Sequence, residues 1–179
     1  MPKPIVLQDA CVLLNLLATG CFEQLCGALD FEFVIARAAA EEALFLRDAS
    51  TNENVVLDLT ELVEKQLLSI VDVETDEERQ RYIAYATELD DGEAMSLALA
   101  ECRHIALATD DRKAIRLITE QKLPIDIWST VGLLQEWQKK RSITKNEMRQ
   151  ILVAIRDRAR FVPKRPPEDA AWWNSFAQD

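Results

Sequence analysis

The sequence predicts an α/β fold: a mainly parallel sheet of about five strands, covered by helices on both faces. Short runs such as "IVLQ" and "FVIA" are apolar throughout instead of alternating, as strands buried on both faces are. Stretches with helical spacing separate them. The chain carries no internal repeat, no low-complexity tract and no Gly-rich phosphate loop that would call for another architecture. In such sheets ligands gather at the carboxyl ends of the strands, where the strand order reverses.

The elements follow in order. "PIVLQ" is a first strand, and "CVLLNLLATG" a helix that Gly20 ends. "EFVIA" is a second strand leading into a helix over "RAAAEEALFLRD", Arg37 to Asp48. The polar stretch "ASTNENVV" reads as a loop. "LTELVEKQLL" has helical spacing, and "SIVDVE" is a third strand. Two helices follow, "TDEERQRYIAYATEL" and "DDGEAMSLALAECR". "HIALAT" is the fourth strand, "DRKAIRLITEQ" a helix, "LPIDIWS" a brief fifth strand, and "STVGLLQEWQKK" closes the unit at about residue 138.

Residues 139–179 differ. Thr144 and Glu147 have capping-box spacing and open a basic amphipathic helix. Beyond it come proline punctuation and an aromatic cluster of Trp172, Trp173 and Phe176, expected to pack onto the body. Lys139 to Arg165 holds ten Lys/Arg against Glu147 and Asp157, although the whole chain has a net charge of −10. Such a segment could grip phosphates, or dock onto its own acidic domain or a partner.

The 179 residues suffice for one domain with a substantial core. No apolar run approaches the ~18–20 residues of a membrane span. Gln8, Asp9 and Asn15 break the N-terminal apolar patch, so it does not read as a signal peptide and the expected location is the cytoplasm. Cys11, Cys21, Cys26 and Cys102 form no C-x-x-C pair and are expected reduced and packed. His104, the only histidine, stands at the start of a predicted strand, where an edge or core role is expected. Histidine-rich metal sites and paired-histidine chemistry are thereby excluded, and any catalysis must run on carboxylates.

Several acids occupy matching places. Asp9 follows the first strand directly. Glu42, in the helix expected after the second strand, has Ala38, Ala39, Phe45 and Leu46 at i±3 and i±4, an apolar or small face. Such a carboxylate needs a partner, and a cation is one candidate. Asp90 and Asp91 read as helix caps, while Glu93 lies on the line of Leu97 and Ala100. Asp110 and Asp111 end the fourth strand, where capping is the plain alternative. Carboxylates sharing a cleft repel unless positive charge arrives, and Mg²⁺ or Mn²⁺ would supply it. Such an ion activates water and stabilises a phosphodiester's developing charge without any histidine.

Four stretches, "IVLQDACVLLNLL", "FVIARAAAEEAL", "DDGEAMSLALA" and "LATDDRKAIRL", stand in an order and at separations that resemble the PIN-domain ribonucleases. That family includes the toxins of bacterial toxin–antitoxin pairs. The likeness covers roughly residues 4–138 and implies a three-layer α/β/α sandwich with a C-terminal helical extension outside the common core. It also implies a metal-dependent endoribonuclease, with Asp9, Glu42, Glu93 and Asp110 as catalytic and metal-holding acids. Asp111 would be an auxiliary ligand or the helix cap. Arg112 and Lys113 are weaker candidates for holding the RNA backbone. Where the family often has Ser, Thr or Asn beside the first acid, this chain has Ala10 and Cys11. Thr109 and Asn15 are polar and nearby, without an assigned role.

RNA is the implied substrate, and an antitoxin protein or a second copy of the chain the implied partner. The alternative is a non-catalytic PIN-like module that binds RNA or a protein. A phosphatase or phosphoacceptor role for Asp9 fits less well, because Cys11 stands where a second acid is needed.

Overall fold

The computed structural model describes residues 3–42, 44–48 and 50–176. The chain begins β1 (Ile5–Gln8), α1 (Ala10–Ala18), α2 (Phe22–Leu29), β2 (Glu32–Ala36), α3 (Arg37–Glu41) and β3 (Phe45–Arg47). It continues β4 (Asn54–Val56), α4 (Thr60–Glu64), β5 (Ser69–Val71), α5 (Asp76–Tyr85) and α6 (Asp91–Arg103). Last come β6 (Ala106–Ala108), α7 (Arg112–Gln121), β7 (Ile127–Trp128), α8 (Thr130–Arg141), α9 (Lys145–Ala159) and α10 (Pro167–Asn174).

Five strands form one sheet in the order β5-β2-β1-β6-β7, and every pair in it is parallel. Val6 and Leu7 of β1, Phe33 to Ala36 of β2 and Leu107 and Ala108 of β6 are buried, which explains why these runs are apolar throughout. Flanking helices complete an α/β/α sandwich. Among the described residues, no single helix is long and apolar enough to cross a membrane; α1 and α2 reach that length only as a pair bent by 110°.

Five expectations need correction. The helix predicted over Arg37–Asp48 stops at Glu41, because Glu42 takes extended backbone angles (φ −61°, ψ 155°). Beyond it Leu44 and Leu46 are buried while Phe45 is exposed, a period of two. Phe45–Arg47 pairs antiparallel with Asn54–Val56, so the predicted loop ends in a strand. Ala43 and Ala49 of those two stretches lie outside the described residues. Helix α2 is not among the predicted elements, although Phe22, Leu25, Cys26 and Leu29 are buried at helical spacing. His104 is neither edge nor core. It caps the end of α6 in the left-handed region (φ 52°) with its residue exposed. The cysteines are free, but Cys11 is exposed instead of packed.

The C-terminal region packs largely as expected. Thr144 and Glu147 form the capping box of α9, whose fully buried Met148 and Ile155 face a body contacted through α1 and β3. Part of its positive charge is spent on that body. The Arg158 guanidinium donates to the Ala18 carbonyl at 2.9 Å and the Lys140 ammonium to the Leu29 carbonyl at 3.1 Å, the last residues of α1 and α2. Trp173 and Phe176 are buried, and Trp172 stacks edge-on against Phe176.

Candidate active site

The strand order reverses between β1 and β6. From β1 the chain builds outward through β2 to β5, then returns to the other side of β1 with β6 and β7. The carboxyl ends of β1 and β6 therefore open a crevice, the usual ligand position in such sheets. Asp9 leaves β1 there, its backbone N–H donating to the Ala108 carbonyl at the end of β6 (3.0 Å). Asp110 and Asp111 leave β6 alongside it.

Each of these acids also starts or steadies a helix. Asp9 caps α1, its Oδ1 accepting from the Val12 N–H at 2.7 Å. Asp111 caps α7, its Oδ1 accepting from the Lys113 and Ala114 N–H groups at 2.7 and 2.9 Å. Asp110 reaches the first turn of α8. Its Oδ1 accepts from the Thr130 N–H at 3.1 Å, and its Oδ2 from the Thr130 hydroxyl at 2.5 Å and the Asn15 amide at 3.4 Å. The Asn15 amide also donates to the Thr130 hydroxyl oxygen at 3.0 Å. Capping and site-forming are thus not rival roles for these residues, because the same carboxyl groups stand in both places.

Glu93 and Glu42 come from the other side. Glu93 lies in the first turn of α6, where its N–H donates to the Asp90 cap at 3.2 Å. Glu42 stands just past the end of α3, not within the predicted helix, and its carboxylate lies against Gly92 of α6. Because Gly92 has no Cβ, this approach is open; a Cβ would collide with Oε1 of Glu42.

The electrostatics tie the group together. Burial pushes the Asp9 carboxyl up to about 7, with Asp110 and Asp111 adding to the rise against bonds from Thr109 and Val12. Glu93 is likewise pushed up to about 7 by burial, then by Asp111, Asp90 and Asp9. Burial also raises Asp110, although Thr130 opposes it, and raises Glu42 together with Asp90 and Asp91. Although Cys11 is exposed as a residue, desolvation of its sulfur pushes the thiol up to about 12, with Asp9, Glu42, Asp110 and Glu93 adding to the rise in turn. One thiol thus senses all four carboxylates. Among the described residues none of these four carboxylates forms a salt bridge with a Lys or Arg.

An all-oxygen donor set with uncompensated negative charge suits a hard divalent cation by its chemistry. Its geometry is not that of a ready-made ligand set: among the described residues no three His, Cys, Asp or Glu side chains converge as metal ligands. Asp110 spends both oxygens on Thr130 and Asn15, and Asp9 and Asp111 each spend one on a helix. Among the described residues two buried polar side chains adjoining these acids in sequence lack partners, Gln8 immediately before Asp9 and Ser96 three residues after Glu93.

Arg112 lines a cleft beside Asp110, whereas Lys113 is exposed and does not line it. Thr130 and Asp169 are not among the residues that the sequence singles out. Thr130 is wholly buried against Asp110, and Asp169, bonded to the Ser129 hydroxyl at 2.8 Å, contributes to raising Asp110. The available signal was the second hydroxyl in "WST", surplus once Ser129 caps α8.

The family model DUF3368, a PIN domain, matches residues 5–169. The chain belongs to the PIN-domain family. The match spans Asp9, Glu42, Glu93, Asp110 and Asp111 and reaches Asp169 in α10. No curated protein matches the chain.

Proposed function

We propose that this PIN domain is a Mg²⁺- or Mn²⁺-dependent endoribonuclease that hydrolyses RNA phosphodiesters at the crevice between β1 and β6. The observation that carries this reading is a neighbourhood of acids at the ends of β1 and β6, Asp9 and Asp110 with Glu93 and Glu42 near by, in which among the described residues none is salt-bridged to a Lys or Arg. These residues would hold the ion, which when bound supplies an activated water and a counter-charge for the phosphodiester. Asp9 and Asp110 follow the adjacent strands β1 and β6, while Glu93 lies in the first turn of α6 and Glu42 against Gly92 beside it. Thr130 and Asn15 orient Asp110, and Gly92 leaves room for Glu42. Asp111 adds negative charge from the cap of α7. As in the toxins that the sequence resembles, the natural partner of such an enzyme would be an antitoxin protein.

A second reading, a non-catalytic module that binds RNA or a protein, draws support from the engagement of both Asp110 oxygens by Thr130 and Asn15. Calorimetric titration of Mn²⁺ into wild type, Asp9→Asn and Asp110→Asn separates the two when paired with cleavage of a mixed-sequence RNA. The ribonuclease reading expects binding and Mn²⁺-dependent cleavage in wild type, both lost in each folded variant. Binding or cleavage indifferent to both substitutions would sink it and bring the non-catalytic module forward.

A further inference from the structure

A cleft of about 310 Å³ opens beside the carboxylates, with Asp110 and Arg112 on one wall and Phe161 to Arg165 on the other. Its three cations, Arg112, Lys164 and Arg165, are all exposed, and among the described residues none of them has a carboxylate partner. Some bases elsewhere are engaged, while others, Lys122 and Lys139 among them, are exposed without a carboxylate partner among the described residues. Arg103 is paired with Glu78, Lys65 with Glu61 and Arg37 with Asp72, while Arg158 and Lys140 bind helix-end carbonyls. What sets these three apart in a chain of net charge −10 is that they line one cleft together, a local positive site that an anion can occupy.

The segment that carries two of them is fixed at both ends. Phe161 packs edge-on against Trp173, with centroids 5.8 Å apart, and Pro163 is buried. Beyond the cations, buried Asp169 bonds to Ser129 at the start of α8. Lys164 and Arg165 therefore project from an anchored strap toward a cleft whose inner wall is an acid of the candidate active site. A polyanion entering the crevice is repelled by the carboxylates, and cations placed alongside offset that repulsion where its backbone continues outward.

We infer that this cleft is a phosphate subsite for single-stranded RNA, in which Arg112, Lys164 and Arg165 hold a backbone phosphate neighbouring the one presented to the carboxylates. This rests on the ribonuclease reading for its substrate. It also gives the strap before α10 a role of its own: it supplies the positive half of a site whose negative half lies at the ends of β1 and β6.

The test is equilibrium binding of a short fluorescein-labelled single-stranded RNA to the full chain, by anisotropy, in EDTA and across a salt series. Removing the divalent ion separates binding from cleavage. Lys164→Ala/Arg165→Ala should weaken binding about tenfold at low salt and reduce the salt slope by roughly 0.7, the value for one phosphate charge no longer neutralised. The matched control is Lys122→Ala/Lys139→Ala, two exposed cations near the far ends of α7 and α8, which should leave both quantities unchanged. Thermal unfolding of each variant verifies the fold. Unchanged RNA affinity in the Lys164/Arg165 variant would overturn the inference and leave those cations to an acidic protein partner. Equal loss in the control would also overturn it, because the effect would then be one of net charge. RNA binding that depends on Lys164 and Arg165 without Mn²⁺-dependent cleavage would uphold the subsite and sink the ribonuclease reading. Asp110-dependent cleavage with binding indifferent to Lys164 and Arg165 would do the reverse.

Discussion

A Cβ placed on Gly92 would collide with Oε1 of Glu42 and stand 3.1 Å from the Ala39 Cα. Gly92 lies in the first turn of α6 immediately before Glu93, so the absent side chain is what lets two carboxylates on different elements share one corner. Gly92→Ala should cost about 1–3 kcal/mol through overpacking, set against the ~1 kcal/mol that alanine ordinarily gains in a helix. With Glu42→Ala in the background much of that cost should disappear, leaving only the close approach to Ala39. A double-mutant cycle by urea unfolding measures the coupling, and a cycle without coupling would deny that Gly92 and Glu42 meet.

Asp9 and Glu93 hold their protons to about pH 7 in the folded chain. The unfolded chain releases them near the ordinary carboxyl values, about pH 4, so the native state binds more protons across the interval between. Stability should therefore fall as pH rises through that window and stay low above it. In EDTA the melting temperature should be higher at about pH 5.5 than at about pH 8, a gap that Asp9→Asn narrows. Glu78 works in the opposite sense. Arg103, at 2.7 Å, holds it down to about 2, so its contribution is present above the ordinary glutamate value and lost as pH falls toward 2.

Substitutions at Asp111 separate its cap from the metal role that the ribonuclease reading proposes for it. Asp111→Ala should destabilise the chain by about 1 kcal/mol through loss of the α7 cap, while Asp111→Asn keeps the accepting oxygen and should cost little. The asparagine variant still removes a charge that acts on Asp9 and Glu93. Its Mn²⁺ affinity should drop by less than that of Asp9→Asn, and calorimetry on the two variants compares them directly.

Thr130→Val preserves shape and removes the hydroxyl that joins Asp110 to Asn15. Leaving those buried groups short of a partner should cost about 1–3 kcal/mol, most of it recovered in Thr130→Ser. Urea unfolding of both variants reads this out; equal loss in the serine variant would assign the effect to the methyl group.

The sheet and the order of its acids are legible in the sequence because the signals are local. Asp9 and Asp110 follow apolar strands directly, and strands buried on both faces leave little ambiguity. Glu42 shows where local reading fails. "AEEALFL" has helical composition, yet the burial of Leu44 and Leu46 on one side of a strand beneath α9 prevails over propensity. Helix α2 has suitable spacing but occupies only eight residues between Gly20 and the next strand. Thr130 could not be found locally, since its partners lie 20 and 115 positions away. The same holds for the cleft: nothing in "VPKRPP" points to Asp110 until the chain folds back.

The double employment of the acids shapes how this protein can decay. Positions 9, 110 and 111 owe a side-chain oxygen to the architecture whether or not any reaction takes place. On the ribonuclease reading proposed above, a descendant released from selection for chemistry could exchange those aspartates for asparagine, but could not freely drop them. Among the described residues the Glu42 and Glu93 carboxylates anchor no helix. Inactivation would thus be written first at positions 42 and 93, as ordinary drift, while 9, 110 and 111 still spelled out the ancestral cluster in amides.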